Sequence, residues 1–236
     1  MLPRSLSAVA AEDQMTRDRK NTFIILFQGD SITDGNRGRT EDPNHIMGHG
    51  YAFSIASRLG ADYPDRNLKF INKGISGNTV SDLSARWQQD ALDLQPDVVS
   101  ILIGVNDVLF RLKSKEALQP SGFEEAYKKL LIRTRKELPD ALLVLNEPFV
   151  LPVGMVKENS DRWTAEIRQC QQSVKKLAVE FNAVFISYQQ VFSEACKNAP
   201  AEYWMWDGIH PTVPGHELMA REWIRKVGEK APLVMP

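Results

Sequence analysis

Thr22-Phe23-Ile24-Ile25-Leu26-Phe27 is a short, unbroken apolar run that ends, after Gln28, in Gly29-Asp30-Ser31. An apolar run with no polar alternation reads as a strand covered on both faces, and the glycine and polar pair behind it read as the loop that leaves it. Similar runs follow at Leu68 to Asn72, Asp97 to Ile103, Ala141 to Asn146 and Ala183 to Ser187, each bounded by polar or glycine-bearing turns. Between them, Tyr51 to Leu59, Val80 to Leu92, Phe123 to Leu138, Arg162 to Phe181 and Gly215 to Val227 carry apolar residues at helical spacing. Fully apolar strands alternating with helices predict an α/β fold, a three-layer α/β/α sandwich around a five-stranded parallel sheet. The stretches Asn36 to Gly50 and Asn146 to Ser160 read as long loops.

The chain has 236 residues, enough for one substantial core, and shows no repeat or linker. Residues 1–20 are expected to be a flexible arm and 21–236 a single domain. Arg4 followed by Leu6 to Ala11, with Ala8-Val9-Ala10, imitates a signal cleavage site, but the apolar stretch is short and broken by serines. Met15 is an alternative start, and the expected location is the cytoplasm. No run is long enough to cross a bilayer. The 29 basic and 30 acidic residues are spread along the chain, so there is no basic field for a phosphate backbone and nucleic acid is not an expected partner. Cys170 and Cys196 form no CxxC pair and read as reduced thiols.

In doubly wound folds ligands sit beyond the carboxyl ends of the strands. The first strand delivers Ser31 there, although serine and aspartate are also ordinary turn and cap residues. The second leads into Asn72-Lys73-Gly74-Ile75-Ser76-Gly77-Asn78-Thr79, whose glycines let a backbone amide face a cleft, or simply make a tight turn. The third ends in Gly104-Val105-Asn106-Asp107, where Asn106 can donate to a developing oxyanion or serve as a turn residue. Near the C-terminus, Trp206-Asp207-Gly208-Ile209-His210-Pro211-Thr212 sets a carboxylate three residues before an imidazole. Pro211 stops a helix from running through, so Asp207 can fold back onto one ring nitrogen and leave the other to take a proton from Ser31. Nucleophile, base, orienting carboxylate and oxyanion donors together make the set that acyl transfer needs.

Gly29-Asp30-Ser31, Gly77, Gly104-Val105-Asn106-Asp107 and Asp207-Gly208-Ile209-His210-Pro211 resemble the four blocks of the SGNH (GDSL) hydrolases, in order and spacing, from Phe27 to the last helix. The resemblance implies the flavodoxin-like fold of that family. It also implies Ser31 as nucleophile, His210 as base, Asp207 as its partner, and an oxyanion hole of Ser31, Gly77 and Asn106. Asn72 to Val80, Asp82-Leu83, Arg86-Trp87 and Gly104 to Val108 resemble the acetyl xylan esterase branch. That implies a serine esterase acting on acetylated xylo-oligosaccharides or related sugar esters through an acyl-enzyme. Gly208 departs from the bulkier residue that the branch often carries.

Asp30 is expected to act structurally. His45, His49 and His216 make no convincing metal site, so no metal or cofactor is expected. Trp204 and Trp206 flank the triad loop, either packed or lining a sugar cleft. The alternatives are a lysophospholipase or thioesterase of the same family, a catalytically dead carbohydrate-binding relative, and, outside enzymes, a flavodoxin-like ligand-binding domain. Homo-oligomerisation is left open.

Overall fold

The computed structural model describes residues 22–113 and 121–231. Its five strands, β1 (Phe23–Gly29), β2 (Leu68–Asn72), β3 (Val98–Leu102), β4 (Leu142–Asn146) and β5 (Val184–Ile186), form one parallel sheet in the order β2-β1-β3-β4-β5. The three inner strands are buried almost throughout, whereas edge strands β2 and β5 are only partly covered. That is why β1, β3 and β4 are written as continuous apolar runs. β2 has the expected bounds, and β1 runs on to Gly29, so the expected end at Phe27 is two residues short.

The helices are α1 (Ser31–Asp34), α2 (Tyr51–Asp62), α3 (Val80–Asp90), α4 (Val105–Lys113), α5 (Ser121–Glu137), α6 (Gly154–Lys157), α7 (Ser160–Glu180), α8 (Tyr188–Ala195), α9 (Ala201–Trp204) and α10 (Val213–Gly228). Helices α2 and α10 pack together, and α5 packs on both α3 and α7, giving two helical layers about the sheet. Phe27, against Tyr51 and Trp223, ties the centre of the sheet to the α2–α10 layer. Burying such a ring stabilises the fold by about 2–3 kcal/mol. The two fully buried indoles are hydrogen-bonded, Trp87 to Thr134 and Trp223 to Ser100, which removes the penalty of an unmet N–H in the core.

The structure adds one helix and corrects one loop. Val105–Lys113 is a helix, although Gly104-Val105-Asn106-Asp107 reads locally as a turn. Asn and Asp favour turns by bonding to nearby backbone, but in a first helical turn an acidic group also faces the positive end of the helix dipole. The stretch from Asn146 to Ser160 is not simply a loop, because it contains α6 and much of it is buried. Helix α8 is a further element that the strand-and-helix reading passes over. The proposed arm at 1–20 lies outside the described residues. Among the described residues, no helix is long and apolar enough to cross a membrane.

The register matters most for function. Gly29, Leu102, Asn146 and Ile186 lie in one row across β1, β3, β4 and β5, so these strands end level. The sheet order reverses between β1 and β3, and that is where a doubly wound sheet opens a crevice. Ser31 follows β1, Gly77 follows β2 and Asn106 follows β3, so three neighbouring strands deliver them to the same edge.

Candidate active site

Ser31 begins α1, and Asp30 is its N-cap, with the Asp30 carboxylate accepting from the Ile32 amide at 3.0 Å. The structural part expected of Asp30 is thus present. Its carboxyl is 1% exposed, and burial pushes its pKa up to about 7 against the opposing bond from Ile32 and the nearby His210. The Ser31 hydroxyl oxygen lies 2.8 Å from His210 Nε2. His210 Nδ1 lies 2.6 Å from Asp207 Oδ2. The other carboxylate oxygen of Asp207 accepts from the amides of Ile209 at 2.9 Å and His210 at 2.7 Å. Ser31 and the Asp207–His210 pair, far apart in sequence, therefore form one continuous hydrogen-bonded chain.

Electrostatics give that chain a direction. Burial by itself would raise the Asp207 pKa, but the His210 ring and the two amides outweigh it and hold the carboxyl below its usual range. The His210 pKa is raised, chiefly by the hydrogen bond to Asp207, with burial opposing. In the neutral imidazole, an anionic Asp207 favours the tautomer with the proton on Nδ1, which turns the Nε2 lone pair toward Ser31 as a general base requires.

The loop bearing Asp207 and His210 is fixed by backbone. Met205 and Pro211 form an antiparallel bridge, and the Trp206 amide donates to the His210 carbonyl at 3.3 Å. On its other side the loop rests on the segment leading into α6, where Leu151 donates to the Gly208 carbonyl and Met155 to the Asp207 carbonyl, both at 3.0 Å. Gly208 has φ +91°, and a Cβ there would stand 2.5 Å from the Val153 carbonyl. A Cβ on Gly154 would stand 2.4 Å from Asp207 Cα. A side chain at either position would therefore collide with backbone, so the close approach of the two segments requires glycine at both.

The loop after β2, where the sequence places an oxyanion donor, is held by side chains. Gly77 has φ +85°, and a Cβ there would project into open space, so its loop faces outward. Asp34 binds that loop to α1: its Oδ2 accepts from both the amide and the hydroxyl of Ser76 and from Arg39. Burial would raise the Asp34 pKa, but the bonds from Arg39 and Ser76 hold it down. Asn72 donates to the carbonyls of Thr33 and Met47 and accepts from Gly74. Arg37 donates to the Gly74 carbonyl, and Arg86 to Asn78. Asn106 donates one amide hydrogen to the Asn78 carbonyl at 3.1 Å and has a second to offer. Asp107 accepts from the Val80 amide at the start of α3, and burial pushes its pKa up to about 6.

Asp34, Asn72, Asp107 and the segment 150–156 are supports that sequence reading does not single out. Asp34, three residues after Ser31, could have been noticed, since a charged residue in a short turn otherwise faces water. His216 is also structural, its Nδ1 accepting from the Tyr51 amide, with its pKa lowered to about 4 by burial. His45 pairs with Asp42. Among the described residues, no group of three or more His, Cys, Asp or Glu is arranged to hold a metal ion.

Comparison with known proteins agrees with this geometry. Residues 27–218 match the model of the GDSL-like lipase/acylhydrolase family. The acetylxylan esterase of Geobacillus stearothermophilus is 36% identical over 211 residues, covering 86% of this chain and 93% of the relative. A crystal structure of that esterase superposes with a TM-score of 0.76 at 35% identity, covering 89% of this chain and 96% of the other. A structure from Parabacteroides merdae, assigned as a GDSL-like lipase, gives 0.84 at 41% identity, covering 88% and 96%. Catalytic mutants of the Geobacillus enzyme replace a serine, an aspartate and a histidine by alanine. Their spacing along that chain equals the spacing of Ser31, Asp207 and His210 along this one. Flavodoxin-like strand order is shared by binding domains and enzymes, so the fold alone does not separate them. The family match does: this chain belongs to the GDSL-like lipase/acylhydrolase family and is a carboxylic ester hydrolase.

Proposed function

We propose that the protein removes short acyl groups, acetyl above all, from xylo-oligosaccharides or related sugars through an acyl-enzyme on Ser31. The observation that carries this reading is the continuous chain from Asp207 through His210 to Ser31, at 2.6 and 2.8 Å. The acetylxylan esterase relative, with catalytic mutants at the same spacing, supports both the roles and the substrate class.

His210 Nε2 takes the Ser31 proton as Ser31 Oγ attacks the ester carbonyl. The carbonyl electron pair moves onto oxygen, which accepts hydrogen bonds from the amides of Ser31 and Gly77 and from Asn106. As the tetrahedral species collapses, the imidazolium returns its proton to the sugar oxygen, which leaves as the free hydroxyl. Water then attacks the acyl-serine with His210 as base, releasing the acid and restoring Ser31. No cofactor enters these steps. The cytoplasmic placement belongs to this proposal and rests on the sequence alone.

Acetate release from acetylated xylo-oligosaccharides by wild type and by Ser31→Ala, with a long-chain acyl ester in parallel, tests the reading. Release by wild type, with Ser31→Ala near background, is the expected result. Cleavage of the long-chain ester alone would favour the lysophospholipase or thioesterase reading, and full turnover by Ser31→Ala would overturn the mechanism.

A further inference from the structure

An isolated apolar side chain in solvent is ordinary on a protein surface. Trp206 differs in where it stands. Its indole is 69% exposed although Met205 and Asp207 on either side are buried. The ring lies stacked beside the His210 imidazole, with centroids 6.2 Å apart and planes 28° apart. The Met205–Pro211 bridge and the bond from the Trp206 amide to the His210 carbonyl hold its backbone in the triad loop. Trp204 is different: it is partly buried, donates its indole N–H to the Ala199 carbonyl and meets Tyr203 edge to face. Of the two tryptophans flanking the loop, Trp204 is packed and Trp206 is presented.

The position of Trp206 has a chemical consequence. His210 Nε2 must hand its proton to the departing oxygen, so the alcohol half of the ester has to come up against the imidazole. The Trp206 indole lies directly beside that ring. A pyranose has an apolar face of C–H groups, slightly positive, which complements the negative face of an aromatic ring, whereas a small alkyl alcohol has none.

We propose that Trp206 is a specificity-determining residue, its indole the platform on which the sugar ring of the ester stacks while His210 protonates the leaving oxygen. This rests on the sugar-ester reading above. It predicts discrimination by the alcohol half of the substrate, independent of the acyl half.

Trp206→Ala and Trp206→Phe, each assayed on an acetylated xylo-oligosaccharide and on ethyl acetate, test it. Trp206→Ala is expected to raise KM for the sugar ester by about three- to tenfold with kcat nearly unchanged, the scale of one aromatic contact. Trp206→Phe is expected to recover most of that loss, and ethyl acetate turnover to stay at the wild-type level. The acidic limb of the pH profile should stay close to that of wild type, because the hydrogen bond to Asp207 is the largest influence on the His210 pKa. An unchanged KM for the sugar ester would overturn the proposal. So would an equal loss on both substrates or a shifted pH limb, either of which would make Trp206 a positioning residue for His210. Wild type that cleaves ethyl acetate but not the sugar ester would overturn the substrate reading itself, a result visible without any variant.

Discussion

The two halves of the site are held together by different physics. On the nucleophile side, α1 and the loop from Gly74 to Thr79 are joined by side chains: Asp34 to Ser76 and Arg39, Asn72 to Thr33 and Gly74, Arg37 to Gly74 and Arg86 to Asn78. On the acid–base side, the loop from Met205 to Pro211 is joined to its support by backbone hydrogen bonds and by two glycines packed against backbone. A network of buried charge responds to pH and to the loss of one polar atom. Close-packed backbone ignores charge and responds to volume. The difference teaches where each half is vulnerable.

The largest effect should come from Asp207→Asn. Asparagine keeps an oxygen for the amides of Ile209 and His210, so the loop should fold, while the base loses its anionic partner. A fall of about 10⁴-fold in kcat/KM with the fold retained is the expected outcome, the melting temperature falling only modestly with loss of the anion that His210 and the two amides stabilise. The acidic limb should move to lower pH, since Asp207 is what raises the His210 pKa. Loss of folding in this variant would break the comparison, because the acid–base side would then depend on charge after all.

Gly208→Ala sharpens the contrast from the other direction. It changes no charge, but its methyl group has no room beside Val153 and Val156 and its φ is unfavourable for alanine. Destabilisation by about 2–3 kcal/mol in urea unfolding is expected, with kcat reduced about a hundredfold by displacement of His210. Wild-type stability would mean that the support at 150–156 is softer than its contacts imply.

Asp34→Asn removes charge from the nucleophile side at nearly constant volume. Asp34 faces Arg39 with its side chain only 3% exposed, so breaking the network should cost about 1–3 kcal/mol. A fall in kcat of about tenfold should follow from a loosened oxyanion loop. Because its folded pKa is depressed, the stability Asp34 contributes is present above the unfolded value of about 3.9 and is lost as pH falls through the folded value. The variant should therefore differ from wild type at pH 7 and converge with it in acid.

Asp30 is expected to show the opposite pH dependence. Its pKa rises from 3.8 to about 7, so the folded protein holds a proton that the unfolded chain has already released. Stability from this group falls as pH rises between those values. Asp30→Asn keeps an N-cap acceptor and escapes that decline, so its melting temperature relative to wild type should rise by about a few degrees between pH 4 and pH 8. A difference that does not vary with pH would show that Asp30 acts through capping alone.

Much of this was legible before any coordinates. The strands stand out because burial on both faces forces an unbroken apolar run, and Ser31, Gly77 and Asn106 stand out because they come directly after such runs. The pair Asp207 and His210 is readable because three residues and a following proline settle the local geometry. Helix α4 was obscured by Asn106 and Asp107, which serve turns and helix starts alike. The segment around Val153 and Gly154 was obscured because its partner is Gly208, far along the chain, and a close backbone approach leaves no period in either stretch.

By itself, then, the sequence determined what proximity along the chain can determine: the five strands, the main helices, the residues that follow the strands, and the family. Tertiary structure decided the rest: that β1 lies between β2 and β3, that His210 meets Ser31 across 179 positions, that Asp34 clamps the loop from Gly74 to Thr79, and that Trp206 faces solvent while Trp204 is packed. The physical reason is the same in each case. Periodicity and turn chemistry act over a few residues, whereas side-by-side order, clamping and exposure depend on which distant segments exclude water from one another.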